Sequence, residues 1–398
     1  MSMAGMPASP GASAGGGRLA PPHGGVIAAT AALVCIGLVM VWSATAPLAI
    51  EARVPPHFAR HLGGLGLGVA LAWLCMVLPL AVWQRIALPL WALAVALLGL
   101  TLVAGTTVNG AQRWLSVPGL GPVLQPVEIA KWATLLATAA ALSREPGASR
   151  HGRFRLPVSG LVLALVALPA GLVFVQPDTK GAALLLILVG AQLFVAGLPL
   201  RFFLIPGVAL SAVFALAFAI YPHVQNRIVA FLDPWANAQA QGFQLVQSFV
   251  AFGRGGLGGV GLGNGRQKLF YLPEAHTDFV LSVVAEELGL VGVAFVLGAF
   301  AALLAGGVRI AARTRSRFAF LVAFSMTAVV AVPGAINAAV VTGLVPPTGL
   351  TLPFVSYGRS SLLVSFAAIG ILLGISRREG ARRDEAPVRV ARTGVRRR

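Results

Sequence analysis

The chain has 398 residues, 57% of them hydrophobic and only 11% charged, with a formal net charge of +18 and a mean hydropathy of +0.85. An ordinary globular domain is about 25% charged, so this composition excludes a soluble enzyme and points to a polytopic membrane protein. A pI near 11.7 would suggest nucleic acid for a soluble protein; here the basic excess reads as topology signal and attraction to anionic membrane lipid, and no nucleic-acid partner is expected.

Residues 1–25 are rich in Gly, Ala, Ser and Pro and are expected to form a disordered cytoplasmic N-terminus. Ten apolar spans follow, at 26–46, 62–82, 86–105, 127–143, 157–175, 181–200, 202–220, 279–308, 318–341 and 352–375. The expected fold is therefore an all-α polytopic membrane protein of ten transmembrane helices, with a membrane domain over 26–375 and a basic cytoplasmic tail over 376–398. Ala44-Thr45-Ala46 resembles a signal cleavage site, but the apolar run is too long for a signal peptide and more spans follow. The first span is read as an uncleaved helix. Cys35 and Cys75 both fall inside spans, so no disulfide framework is expected. The pair 181–200 and 202–220 is separated by almost nothing, which leaves a tight hairpin or a re-entrant segment open.

Arginine placement sets the orientation. Segments 144–155, 309–317 and 377–398 carry net charges of +3, +4 and +6, and a ten-span chain puts all three on one side. Positive residues mark the cytoplasm. Both termini are then cytoplasmic, and the long 221–278 segment between helices seven and eight faces outward.

Ionisable groups are costly within a membrane, so each polar cluster near a span boundary is a site hypothesis. In chain order, the first is Asn109-Gly110-Ala111-Gln112-Arg113-Trp114, in a Gly- and Pro-containing outward loop at 105–126. Arg113 beside Trp114 reads as an interfacial anchor or as an anion-binding arm, since a guanidinium donates to pyrophosphate in pairs. Glu128 and Lys131 follow three residues apart, a helical spacing that lets them pair. Next comes the turn Gln176-Pro177-Asp178-Thr179-Lys180, where Asp178 can cap the following helix. In the outward segment, Gln244, Gln247 and Ser248 share one helical face, and eight glycines fall among the thirteen residues 253–265. Glycine there permits close approach of backbone to a ligand.

The densest charge lies at 261–279, which holds Arg266, Lys268, Glu274, His276 and Asp278. Pro273 suits the first position of a helix, which would put Glu274 in the first turn and Asp278 one turn on. Two such carboxylates can share a cation or raise one another's pKa; alternatively Asp278 is simply the helix cap. Glu286 and Glu287 lie deeper and read as structural, one of them pairing with a buried Arg or Lys.

These blocks together resemble the SEDS family (shape, elongation, division, sporulation). The match runs through Gly37–Ser43, Asn109–Trp114, Gln125–Lys131, Gln176–Asp178, Asp233–Trp235, Gly242–Ser248, Gly261–Asn264, Lys268–Phe279, Ala285–Gly289 and Gly349–Gly358. The wording of the last blocks favours its cell-division branch over the elongation paralogue. The resemblance implies a peptidoglycan glycosyltransferase that polymerises lipid II outside the bacterial cytoplasmic membrane, beside a class B penicillin-binding protein and other divisome proteins. It implies Asp278 as general base. Arg113, Trp114, Glu128, Lys131, Asp178, Gln244, Gln247, Lys268, Glu274, Ser356 and Arg359 are the expected substrate-binding set. A divalent cation, magnesium or manganese, is expected on Asp278 and Glu274 or on the substrate pyrophosphate. Two departures from the family pattern stand out, Lys180 in the Pro-Asp turn and Arg359 in place of a glycine. Arg359 is expected to touch phosphate or to pair with an acid such as Asp178. A lipid-linked precursor flippase and a non-catalytic divisome scaffold are the alternative functions; acids and bases gathered at the outer boundary favour the polymerase.

Overall fold

The computed structural model describes residues 23–48, 53–108, 111–117, 121–144, 160–200, 222–240 and 242–384, together with Phe203 and Gly207. Helices α1 (Gly24–Thr45), α2 (Pro56–Val77) and α3 (Leu80–Ala104) lead into a small sheet. The sheet comprises β1 (Thr106–Val108), β2 (Ala111–Val117) and β3 (Gly121–Leu124). Then come α4 (Pro126–Arg144), α5 (Gly160–Val175), α6 (Thr179–Val195), α7 (Pro222–Leu232) and α8 (Phe243–Gly255). Three long helices close the described chain: α9 (Val280–Arg313), α10 (Arg317–Val341) and α11 (Arg359–Asp384).

Nine of the ten expected spans coincide with helices, while 202–220 falls outside the described residues apart from Phe203 and Gly207. Among the described residues, six helices, α1, α2, α3, α9, α10 and α11, are long and apolar enough to cross a bilayer, and α5 and α6 are shorter apolar helices. The chain is a multi-pass membrane protein. The expected N-terminal segment lies almost wholly outside the described residues, and α11 runs on past residue 375 into the expected tail.

Two expectations need correcting. The loop over 105–126 is instead an antiparallel sheet in the order β1-β2-β3, with Thr106 opposite Trp114 and Leu115 opposite Leu124. The strands are too short for alternation to be read. The second concerns the glycine-rich stretch, which folds onto a broken helix. Helix α9 is interrupted at Gly289, whose φ of +65° and ψ of −164° no ordinary residue adopts cheaply. The break frees backbone groups that apolar surroundings cannot satisfy. Residues 256–261 satisfy them: Val260 and Gly261 donate to the carbonyls of Glu286 and Glu287, while Leu290 and Val291 donate to those of Gly256 and Leu257. A β-carbon at Gly259 would sit 2.2 Å from the Glu287 carbonyl oxygen, and one at Gly255 1.8 Å from that of Ala285. The close approach is to this chain's own backbone.

Small residues also set the other helix contacts, as expected where lipid removes the hydrophobic drive between helices. Gly370 and Gly374 of α11 lie against the backbone of Ala72 and Met76 in α2, with ideal β-carbons 2.2 and 2.7 Å from those carbonyl oxygens.

Both acids at the break are fully buried and fully partnered. Glu286 accepts from Arg254 of α8 at 2.7 Å and from the backbone N–H groups of Arg266 and Gln267. Glu287 accepts from Lys268 at 2.6 Å, from Ser43 of α1 and from the N–H of Gly263. Removing one partner of a buried pair strands the other charge, which costs about 3–5 kcal/mol. Lys268→Met should therefore lower the apparent Tm of the purified protein by several degrees. Arg315→Gln, at an exposed position, should leave it within about 1 °C, since surface changes stay within ~0.5 kcal/mol.

Candidate functional site

The segment before α9 was expected to be helical from Pro273, with Asp278 as a possible cap. Helix α9 instead starts at Val280, its N-cap is Phe279, and no side chain caps it. Glu274 has a φ of +55°, which a helix beginning at Pro273 cannot contain. The cause is tertiary. Tyr357 N–H donates to the His276 carbonyl at 2.9 Å, and the Ser356 hydroxyl donates to the Thr277 carbonyl. The Asn337 amide of α10 bridges the carbonyls of Asp278 and Leu350, at 2.7 Å each. These bonds take up the carbonyls of residues 276–278 and hold the segment as a chain of turns.

Freed from capping, the Asp278 carboxylate accepts no hydrogen bond from the described residues and stays partly open to solvent. A β-carbon placed on Gly349 would lie 3.0 Å from Asp278 Oδ2 and 2.8 Å from Lys180 Nζ, so the two charges flank one glycine. Lys180 also donates to the Gly349 carbonyl at 2.6 Å. Burial pushes the Asp278 carboxyl up to about 6; the Lys180 ammonium opposes that shift and the neighbouring Glu274 carboxylate adds to it. Glu274 itself accepts from the Thr277 hydroxyl at 2.8 Å.

Other expected residues border this carboxylate. Asp178 is 1% exposed, caps α6 by accepting from Gly181 N–H at 3.2 Å, and lies 3.8 Å from the Arg113 guanidinium. Arg113 also donates to the Pro177 carbonyl, locking β2 to the turn before α6. The expected pairing of Arg359 with Asp178 gives way to this one. Arg359 opens α11 and lies in electrostatic reach of His57 in α2. The His57 ring meets His276 and Tyr357 at 5.6 and 5.3 Å, and burial lowers the His276 pKa, with the Glu274 charge opposing. Glu128 and Lys131 pair at 2.8 Å. They line a cavity of about 20 Å³ with Leu350 and Thr351, large enough for a water molecule. Three buried polar atoms here, Arg113 Nε, Asn337 Oδ1 and Thr348 Oγ1, find no partner among the described residues. The site thus holds polar capacity that its own side chains leave unused.

Some expected residues lie elsewhere. The Lys268 ammonium, expected to bind substrate, is taken up by Glu287 and Ser43. Ser356 is 3% exposed and bonds the backbone of Thr277 and Leu352, so it shapes the site without facing it. Gln244 and Gln247 are partly exposed on α8, and no hydrogen bond among the described residues joins them to the Asp278 segment. Trp114 is half-buried in β2. For the metal, no group of three or more His, Cys, Asp or Glu side chains is gathered among the described residues. Asp278 and Glu274 suit only a cation whose shell is completed by water and substrate phosphate, as magnesium sites commonly are. Asn337 is the site residue that sequence reasoning passed over, while Lys180 was noted only as a departure in the turn after Asp178. A lone amide deep in an apolar helix was the available signal for Asn337.

A family model described as a cell cycle protein, covering FtsW, RodA and SpoVE, matches residues 25–381. The chain belongs to that family. The SEDS resemblance read from the sequence is the same assignment. Among its relatives is a probable peptidoglycan glycosyltransferase FtsW of Halomonas elongata, 40% identical over 380 residues, covering 93% of this chain and 94% of that protein. A protein of the same name from Coxiella burnetii is 38% identical and covers 88% of this chain and 95% of its own length. A solved peptidoglycan synthase complex that coordinates polymerization and crosslinking contains a chain similar at a TM-score of 0.72 and 35% identity, covering 89% of this chain and 97% of that one. The rod shape determining protein RodA of Thermus thermophilus is similar at a TM-score of 0.63 and 31% identity, over 89% of this chain and 96% of that one.

Within this family fold, the Asn337 clamp should be separable from the Asp278 carboxylate. Asn337→Leu keeps the volume but strands two carbonyls, each costing about 1–3 kcal/mol. It should lower the apparent Tm, whereas Asp278→Asn, which keeps the clamp, should not.

Proposed function

We propose that the protein is a peptidoglycan glycosyltransferase that polymerises lipid II for septal wall synthesis, with Asp278 as general base. The observation that carries this reading is a carboxylate held by its own backbone, free of hydrogen bonds from the described residues, with a pKa raised to about 6 beside a lysine. Such a group is mostly ionised at neutral pH yet more basic than a solvated aspartate, which suits proton abstraction. The family membership and the names of its relatives support the same reaction class.

The donor's anomeric carbon carries an undecaprenyl pyrophosphate. Asp278 takes the proton of the acceptor sugar's 4-hydroxyl, the oxygen attacks the anomeric carbon, and the bond to the pyrophosphate breaks with its electron pair on the leaving phosphate oxygen. Attack opposite the leaving group inverts an α donor into a β-1,4 link. No covalent enzyme intermediate is needed. Arg113, Lys180 and Arg359 supply positive charge on this side of the bundle, where it stabilises developing phosphate charge. A magnesium or manganese ion held by Asp278, Glu274 and substrate oxygens would add charge neutralisation at the leaving group. The lipid tails lie between membrane helices. The active site faces outward from the bacterial cytoplasmic membrane and both termini lie in the cytoplasm. A class B penicillin-binding protein, among other divisome proteins, crosslinks the product.

The test uses purified full-length protein, alone and with its cognate penicillin-binding protein, given labelled lipid II and a divalent cation. Glycan strands should form and should be lost with Asp278→Asn. Labelled lipid crossing proteoliposomes without strand formation would identify a flippase, and neither activity would leave a scaffold.

The pH dependence follows from the charges around Asp278. A base must be deprotonated, so kcat/KM should rise with pH through about 6 and level off above it. Lys180→Met removes the charge that holds the pKa down and should move the midpoint to higher pH; Glu274→Gln should move it lower. Unmoved midpoints in both variants would remove Asp278 from the role.

A further inference from the structure

The far end of α4 from the Asp278 segment borders a larger cavity. Between α3, α4 and α5 lies a cavity of about 420 Å³. That is within the range of small-molecule pockets and far above the roughly 30 Å³ of one water molecule. It exists because α4 presents Ala137, Ala140 and Ala141 where larger side chains would fill the gap. Leu88 and the buried Leu165 complete an apolar wall. Arg85 and Arg144 stand at its edge, both exposed.

Neither arginine has an acidic partner or a hydrogen-bonded carbonyl among the described residues. In the adjoining cavity, which shares Gln84, Arg378 donates to the carbonyls of Val77 and Leu78 and Arg317 to that of Ala196. Those guanidiniums serve the fold; Arg85 and Arg144 are left to face whatever enters. An apolar groove open beside membrane helices, with cations at its edge that no described acid neutralises, is complementary to an amphiphile with an anionic head. Arg317 and Arg378 in the adjoining cavity add positive charge at this same end.

We propose that this groove binds an anionic phospholipid, its phosphate between Arg85 and Arg144 and an acyl chain along the alanine face of α4. The site stands apart from the Asp278 chemistry and does not depend on the reaction performed there.

The experiment uses full-length protein in neutral detergent with fluorescent phosphatidylglycerol or phosphatidylcholine as probe. Phosphatidylglycerol should bind saturably and phosphatidylcholine at least about tenfold more weakly. Arg85→Gln with Arg144→Gln should weaken phosphatidylglycerol by about 30-fold, from about 1 kcal/mol for each cation near an anionic surface. Ala141→Phe, at a half-buried position, fills the groove with both arginines in place and should also abolish binding. Arg315→Gln, an exposed arginine off the groove, should change nothing. Equal affinity for the two lipids, an equal loss in Arg315→Gln, or full binding by Ala141→Phe would overturn the proposal. So would binding that arises only after residues 145–159 are replaced by a Gly-Ser linker, since the groove would then belong to that segment.

Discussion

The break in α9 at Gly289 is the constraint on which the rest of the described structure depends. A helix interrupted inside an apolar bundle exposes backbone groups whose desolvation costs several kcal/mol each. The chain answers with the 256–261 segment, which needs glycine wherever it passes close to the Glu286–Gly289 backbone. Glu286 and Glu287, adjacent in sequence and fully buried, then draw in Arg254, Lys268, Ser43 and three backbone amides. A chain with few charges gathers four of them at one joint. A partnered buried pair adds little net stability over an apolar one, but it specifies geometry because every alternative leaves a charge unpaired. The joint ties α1, α8 and the connecting segment to the outer part of α9.

That rigidity reaches the site through the few residues between Lys268 and Val280. With Lys268 fixed at one end and α9 at the other, the turns over 272–279 have little freedom. Asn337 and Ser356 remove what is left by bonding the carbonyls of Asp278 and Thr277. The arrangement positions a side chain by its backbone and leaves the carboxylate itself unbonded, so that its hydrogen-bonding capacity stays available to a ligand.

Much of this was legible beforehand, for identifiable reasons. Long apolar runs and arginine clusters define spans, and α1, α4, α9 and α10 lie within a few residues of their expected bounds. The Glu128–Lys131 pair follows from helical spacing alone. The residues that escaped are those whose role depends on partners distant in sequence. Lys268 sits in the same charged run as Asp278, but its partner is nineteen residues on, in a helix of its own. Spacing cannot tell a lysine that faces a cavity from one that neutralises a buried acid. Pro273 and Glu274 satisfy every local rule for a helix start, and three tertiary bonds to residues 337–357 override them. The strands at 106–124 are too short for a period to be visible, and the glycines at 253–265 signal close approach without saying to what.

Lys180 shows how a departure from the family pattern acquires meaning from coordinates. In the sequence it was a basic residue in a turn. In the fold it reaches Gly349 and stands beside Asp278, where its charge opposes the upward shift from burial. Without a cation the buried carboxyl would be protonated over more of the neutral range, and a protonated carboxyl cannot accept a proton. With a direct ion pair the pKa would fall, and the carboxylate would be a weaker proton acceptor. Lys180 donates to the carbonyl of Gly349 rather than to the carboxylate, so it acts through space and leaves both oxygens open. At pH 7 a pKa of about 6 leaves roughly ten ionised carboxylates for each neutral one, while retaining about two units of extra basicity over an exposed aspartate. Gly349 makes this spacing possible, since a β-carbon at its φ of +67° would fall between the two charges. The geometry that keeps lysine and aspartate near but unpaired is thus a property of one glycine, one turn and one helix cap at Asp178 that aims the lysine.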